Sequence, residues 1–129
     1  MTSLEAAGLW IGLNALLLIY ISYRVGQARN KYGVNLGDGG NPDVLKAIRV
    51  HGNYTEYAPA ALLGLFALAS LGAHVLTVHF LGAVFFLARI AHLLGLGMGV
   101  WEQGRFVGTL FTMLTLLATG GLLLFHAIF

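Results

Sequence analysis

An all-α integral membrane bundle, one domain over residues 1–129, is the fold this sequence predicts, and three observations predict it. The chain is 58% hydrophobic and only 9% charged, with a mean hydropathy of +0.82. Soluble domains carry about 25% charged residues, so there are too few charges here to cover a water-facing surface. Four apolar stretches, each near the ~20 residues needed to cross a bilayer, are separated by short polar or glycine-rich breaks. The few lysines and arginines gather around the first and third of those breaks. The same composition excludes other classes. A net charge of +2 does not point to nucleic acid, and with no cysteine there is no disulfide, cysteine nucleophile or thiolate metal site.

The first span runs from Ala6 to Tyr23, interrupted only by Asn14 and Ser22, and Arg24, Arg29 and Lys31 end it. It does not read as a cleaved signal peptide, because its only early charge is Glu5 and no small-residue cleavage site follows. Tyr32 to Asp43 holds Gly33, Gly37, Gly39 and Gly40 and reads as a loop. Asn41-Pro42-Asp43 has the order of a helix start: a capping Asn, Pro at the first helical position, an acid in the first turn. The second helix runs from there to about Leu71, amphipathic until Pro59 and apolar beyond it. Leu71-Gly72-Ala73-His74 reads as a tight turn, and a third helix extends to about Leu96. The glycine-rich stretch Gly95 to Gly104 leads into the fourth span, Phe106 to Phe129, which has no charge. Gly8 with Gly12, and Gly104 with Gly108, have the spacing that permits close helix approach.

Four spans put both termini on one side. Arg24, Arg29, Lys31, Lys46 and Arg49 surround the first connection, Arg105 flanks the third, and the second has no Lys or Arg. The positive-inside rule places connections one and three in the cytoplasm and both termini outside.

Lys46, Arg49, Asn53 and Glu56 recur at spacings of three, four and three, which forms one polar stripe on the second helix. Ionisable groups at membrane depth are costly and face a partner helix, a cavity or a polar ligand. Glu56 lies 17 residues before Ala73 and Arg89 lies 16 after it, so at about 1.5 Å per residue both sit roughly 25 Å from the turn. Asn53 and His92 match in the same way. The register therefore predicts an ion pair in which Arg89 compensates Glu56, directly or through a shared ligand. Pro59 frees the Thr55 carbonyl beside Glu56. The guanidinium groups of Arg29, Arg49 and Arg105 suit carboxylates, Glu56 suits an ammonium, and Asn53 both donates and accepts. Together they suit a small zwitterion with extra carboxylates, with room for an apolar reactant arriving from the lipid.

Arg49-Val-His-Gly-Asn53-Tyr-Thr-Glu56-Tyr57-Ala-Pro59 resembles the second-helix pattern of the MAPEG family, the membrane-associated proteins in eicosanoid and glutathione metabolism. The offsets of Glu56, Tyr57 and Pro59 are similar to those of its leukotriene-C synthase branch. Gly26-Gln27-Ala28-Arg29, and Arg89-Ile90-Ala91-His92 followed 13 residues later by Arg105, resemble its microsomal prostaglandin E synthase branch. The resemblance implies a homotrimer in the membrane, in a bacterial-type member of the inner membrane, with glutathione bound between neighbouring subunits near the cytoplasmic side. It implies that Arg49, Asn53, Glu56 and Tyr57 hold the glutathione backbone, that Arg29 and His92 contribute from helices one and three, and that Arg105 lies near the thiol. The activity implied is a glutathione transferase or peroxidase acting on a lipophilic small molecule. The chain departs from the synthase pattern at Leu96, where a Tyr is common, and at Phe106, where prostaglandin E synthase has Ser, so an eicosanoid substrate is not implied.

Thiol chemistry supplies the expected mechanism. The thiolate is the nucleophile, and a guanidinium near the sulfur favours it, which casts Arg105 as the catalytic residue. The competing reading is a non-catalytic relative that binds lipids or partner proteins. A small four-span exporter is disfavoured, since the first span has no acid beyond Glu5. His74, His79 and His126 have no acidic or cysteine partner at metal-ligand spacing and read as interfacial, with no metal expected. His51 points about 200° round the helix from Arg49. Tyr20, Tyr23, Tyr32, Trp10 and Trp101 fit aromatic belts. Asp38, Asp43 and Glu102 read as loop, cap and solvated residues.

Overall fold

The computed structural model describes residues 1–129. The chain folds as helices only: α1 Ser3–Tyr32, α2 Pro42–Ser70, α3 Val75–His92 continued by a π-helical turn Leu93–Gly97, and α4 Gly104–Ile128. Each end has a local cause. Thr2 caps α1 in a reciprocal box with Glu5, and Gly33 ends it in the left-handed region at φ 66°, where a side chain would be strained. The Asn41 side chain accepts from the Asp43 and Val44 amides and Pro42 opens α2. The His74 side chain accepts from the Leu76 amide at the start of α3. Pro59 lies inside α2, and the helix continues through it to Ser70.

The helices pack in two core clusters stacked along the bundle. One joins Ala6 and Ala7 of α1 to Leu65, Leu68 and Ala69 of α2 and Val78 and Leu81 of α3. The other joins Ile21, Val50, Tyr54, Ala58, Ala61, Phe85 and Leu93. The outside stays apolar: Leu16 is 66% exposed, Leu63 70% and Leu117 74%. Large aliphatic side chains spread over every outward face suit lipid, and they make this an integral membrane helical bundle.

Three of the helices are long and apolar enough to cross a bilayer: α1, α3 with its π turn, and α4. The fourth helix, α2, is the one whose sequence reads as amphipathic up to Pro59 and apolar only beyond it. That helix has 29 residues, but its first half is spent on the stripe from Asp43 to Glu56, which lowers its hydropathy below its neighbours'. It nevertheless packs against all three other helices.

The two GxxxG pairs behave differently. A Cβ at Gly104 would meet the Ala91 carbonyl and one at Gly108 would meet the Ala88 carbonyl and the His92 amide, so these glycines let α4 lie against α3. Gly8 and Gly12 have nothing within 4 Å and make no helix contact within the chain.

Candidate functional site

A polar layer crosses the lower core cluster. Arg89 is 1% exposed. Its guanidinium donates to the Asn53 side-chain oxygen at 2.6 Å and to the Thr112 hydroxyl at 3.1 Å, and lies 5.7 Å from the Tyr54 ring centroid. The Thr112 hydroxyl in turn donates to the Gly108 carbonyl at 2.8 Å. The Tyr54 hydroxyl lies 2.8 Å from the Asn14 carbonyl and 2.9 Å from the Asn14 side-chain oxygen. The Asn14 amide donates to the Trp10 carbonyl at 2.8 Å. Polar side chains from all four helices thus bond to one another in the interior, which lowers the cost of burying them there.

Of the expected Glu56–Arg89 compensation, the direct ion pair is not formed. Glu56 is exposed and lies 3.8 Å from Arg49, with both side chains more than half exposed. Arg89 goes to Asn53, one turn of α2 nearer the first connection. The depth argument was right to within a turn, but helix rotation decides which member of the stripe faces inward. Asn53 faces α3, whereas Glu56 faces outward.

Arg49, Asn53, His92, Leu96, Arg105, Phe106 and Thr109 line a cavity of about 340 Å³ among α2, α3, the π turn and α4. Four of the expected ligand residues therefore converge: Arg49, Asn53, His92 and Arg105. The π turn is the reason they meet. The amides just past it bond back onto its carbonyls across five and six residues, Met98 to Leu93 and Val100 to Leu94, and a Cβ at Gly95 would meet the Arg105 amide. The widened turn lets α4 begin directly against the end of α3, bringing Arg105 to the cavity. A π turn placed at such a position is a feature often found at functional sites.

His92 is 2% exposed, and its Nδ1 has no hydrogen-bond partner; neither does Nε of Arg89. Unsatisfied buried polar atoms are few in folded proteins and call for an explanation. Here two lie in or beside one cavity lined by two further arginines.

Three expected ligand residues stand apart within the chain. Arg29 donates to the Asn35 carbonyl at 2.8 Å and lines a separate depression with Gly26, Asn30, Gly33, Val34 and Asn35. Glu56 and the half-buried Tyr57 lie outside the cavity lining. Sequence reasoning missed the cluster Asn14–Tyr54–Thr112. A single Asn within an otherwise apolar first span was the available signal for Asn14, whereas Thr112 sits among other threonines of α4 with nothing to distinguish it. No group of His, Cys, Asp and Glu able to hold a metal is present.

Such a bundle, with a buried polar layer beside a cavity lined by Arg49 and Arg105, defines a polytopic helical membrane protein. The MAPEG family pattern matches residues 7–125, and the chain belongs to the MAPEG family. It is 38% identical over 89 residues to Inner membrane protein YecN of Escherichia coli strain K12, covering 69% of this chain and 68% of that one. The same figures hold for Inner membrane protein YecN of Escherichia coli O6:H1. No solved structure gives a significant match.

Proposed function

We propose that this membrane protein binds glutathione in the cavity of Arg49, Asn53, His92 and Arg105 and serves as a glutathione-dependent transferase or peroxidase for lipophilic electrophiles. The observation that carries this reading is the convergence of those four side chains on one cavity. The donor set fits a tripeptide with two carboxylates: Arg49 supplies a guanidinium fork, Asn53 an amide, and His92 a ring nitrogen in need of a partner. When bound, glutathione supplies a thiol whose ionised form is the nucleophile. Arg105 holds a positive charge at the cavity's edge and favours that ionised form. Leu96 and Phe106 give the same cavity an apolar wall, where a reactant dissolved in the bilayer meets the polar half of the site.

Arg29, Glu56 and Tyr57 join the site in a homotrimer, where the end of one subunit's α1 reaches the cavity of its neighbour. The exposed, unpacked Gly8 and Gly12 on α1 favour such an assembly. The protein resides in the bacterial inner membrane with the cavity towards the cytoplasm, a reading supported by the basic residues near the first connection and by the name of the relative YecN.

Calorimetry of the detergent-solubilised protein with glutathione tests this. Saturable binding that Arg49→Ala or Asn53→Ala weakens at least tenfold is expected; no binding to the assembled protein overturns it. One observation favours a second reading, a non-catalytic lipid- or partner-binding protein: Leu96 and Phe106 put carbon at two lining positions. Glutathione bound without thiolate absorbance would favour that reading.

A further inference from the structure

A second, larger cleft lies between the end of α1, the start of α2 and the π turn. Its volume is about 590 Å³, and Arg24, Lys31 and Lys46 line it together with Gln27, Asn30 and Asp43. Three cations meet one carboxylate, and that carboxylate is engaged: the Tyr32 hydroxyl donates to Asp43 at 2.6 Å and Lys46 lies 3.7 Å away. Arg24 spends one donor on the Gly97 carbonyl at 3.1 Å, which fixes the cleft's floor, and keeps its others. Lys31 and Lys46 are exposed.

The face of α1 that brings Arg24 and Gln27 to the cleft also carries, nearer the N-terminus, Tyr20, Tyr23, Leu16 and Ile19. Tyr20 stands one turn before Arg24, and the Tyr23 hydroxyl accepts from the Gln27 amide at 3.0 Å. One turn deeper still, Leu16 and Ile19 are each 66% exposed. Going out of the bilayer, this face passes from aliphatic to tyrosine to cation over three turns, the order of acyl chain, glycerol region and headgroup.

We propose that the cleft of Arg24, Lys31 and Lys46 is a binding site for the phosphate of an anionic phospholipid, whose acyl chain lies along Leu16 and Ile19. Basic pockets between membrane helices take phosphate headgroups in this way. Arg24 provides the forked contact to phosphate oxygens and the two lysines provide mobile point charges. The aliphatic and tyrosine path is why the ligand is a lipid and not a soluble phosphoester. The proposal uses none of the residues assigned to glutathione and stands or falls separately from that reading.

Native mass spectrometry of the detergent-solubilised protein, incubated with equimolar phosphatidylglycerol and phosphatidylcholine, provides the test. Selective retention of phosphatidylglycerol is expected. Lys31→Gln and Lys46→Gln, both at exposed positions, each lower that selectivity about fivefold. Arg29→Gln removes an equal charge from the same helix end but outside the cleft and lowers it less than twofold. Equal retention of the two lipids overturns the proposal. So does an equal loss from Arg29→Gln, which means general surface attraction, and so does displacement of the lipid by millimolar inorganic phosphate, which means a soluble ligand.

Discussion

The Arg89 guanidinium lies 2.6 Å from the Asn53 side-chain oxygen, joining α3 to α2 at the level of the cavity. A charged donor is thus held by neutral acceptors, Asn53 and Thr112, with the Tyr54 ring beside it. In this arrangement no carboxylate compensates Arg89 within 4 Å, and Glu56 is free to face outward beside Arg49.

The Arg89–Asn53 bond should show as a coupling energy. A double-mutant cycle with Arg89→Met and Asn53→Leu, measured by unfolding in mixed micelles, is expected to give about 1–2 kcal/mol. That is above the ~0.6 kcal/mol typical of hydrogen bonds between membrane helices, because the donor is charged. Glu56→Gln should change stability by less than about 0.5 kcal/mol, since its pair with Arg49 is exposed. A large loss from Glu56→Gln with no Arg89–Asn53 coupling would restore the Glu56–Arg89 pair.

Arg105→Ala should leave glutathione binding largely intact while the ultraviolet absorbance of the bound thiolate disappears at neutral pH. Turnover of a lipophilic electrophile should fall about 10²-fold, the scale of removing one preorganised charge-stabilising group. Wild-type turnover in the variant would remove Arg105 from the chemistry.

The glycines of α4 and α1 should respond with opposite sign. Gly108→Ala drives a methyl group into the Ala88 carbonyl and the His92 amide, and a cost of about 1–3 kcal/mol is expected from overpacking. Gly12→Ala meets nothing within the chain and should be neutral or stabilise the fold by up to about 1 kcal/mol through helix propensity. In the proposed homotrimer Gly12→Ala should also reduce cross-linking between copies, and unchanged cross-linking would remove this α1 face from the interface.

Acid should loosen the first connection. The Tyr32 hydroxyl, followed by Lys46 and Lys31, holds the Asp43 carboxyl below its ordinary value. A depressed carboxylate contributes stability above the unfolded value, near pH 4, and loses it as pH falls through the lower folded value. Amide exchange across residues 33–43 should therefore quicken, beyond its intrinsic pH dependence, as pH drops below about 4. Tyr32→Phe should narrow that window, and no change between pH 6 and pH 3 in the wild type would contradict it.

Topology is open to a direct check. A reporter active only outside the cytoplasm, fused after Phe129, should be active, and one fused within residues 34–40 should be silent. The reverse pattern would place the cationic cavity on the outer face.

Much of the fold was legible because it rests on local rules. Asn41-Pro42-Asp43 announced the start of α2 through capping, and the observed helix begins at Pro42. The Leu71–His74 turn and the glycine-rich third connection were visible for the same reason. The convergence of Arg49, Asn53, His92 and Arg105 was legible from spacing and family pattern together. The π turn was not, since Leu-Leu-Gly-Leu-Gly carries no signal separating a widened turn from an α-helical one.

By itself the sequence determined the hydrophobic lengths, the helix ends and which side chains lie on one stripe of α2, because these depend on neighbours within a few residues. Only the tertiary structure decided which member of that stripe Arg89 meets, that Asn14 and Tyr54 complete the polar layer, and that Arg29 stands apart from the cavity within one chain. Those outcomes turn on the rotation of packed helices about their axes. A rotation of about 100°, one residue's worth, moves a side chain from the core to the lipid, and no local rule carries that angle.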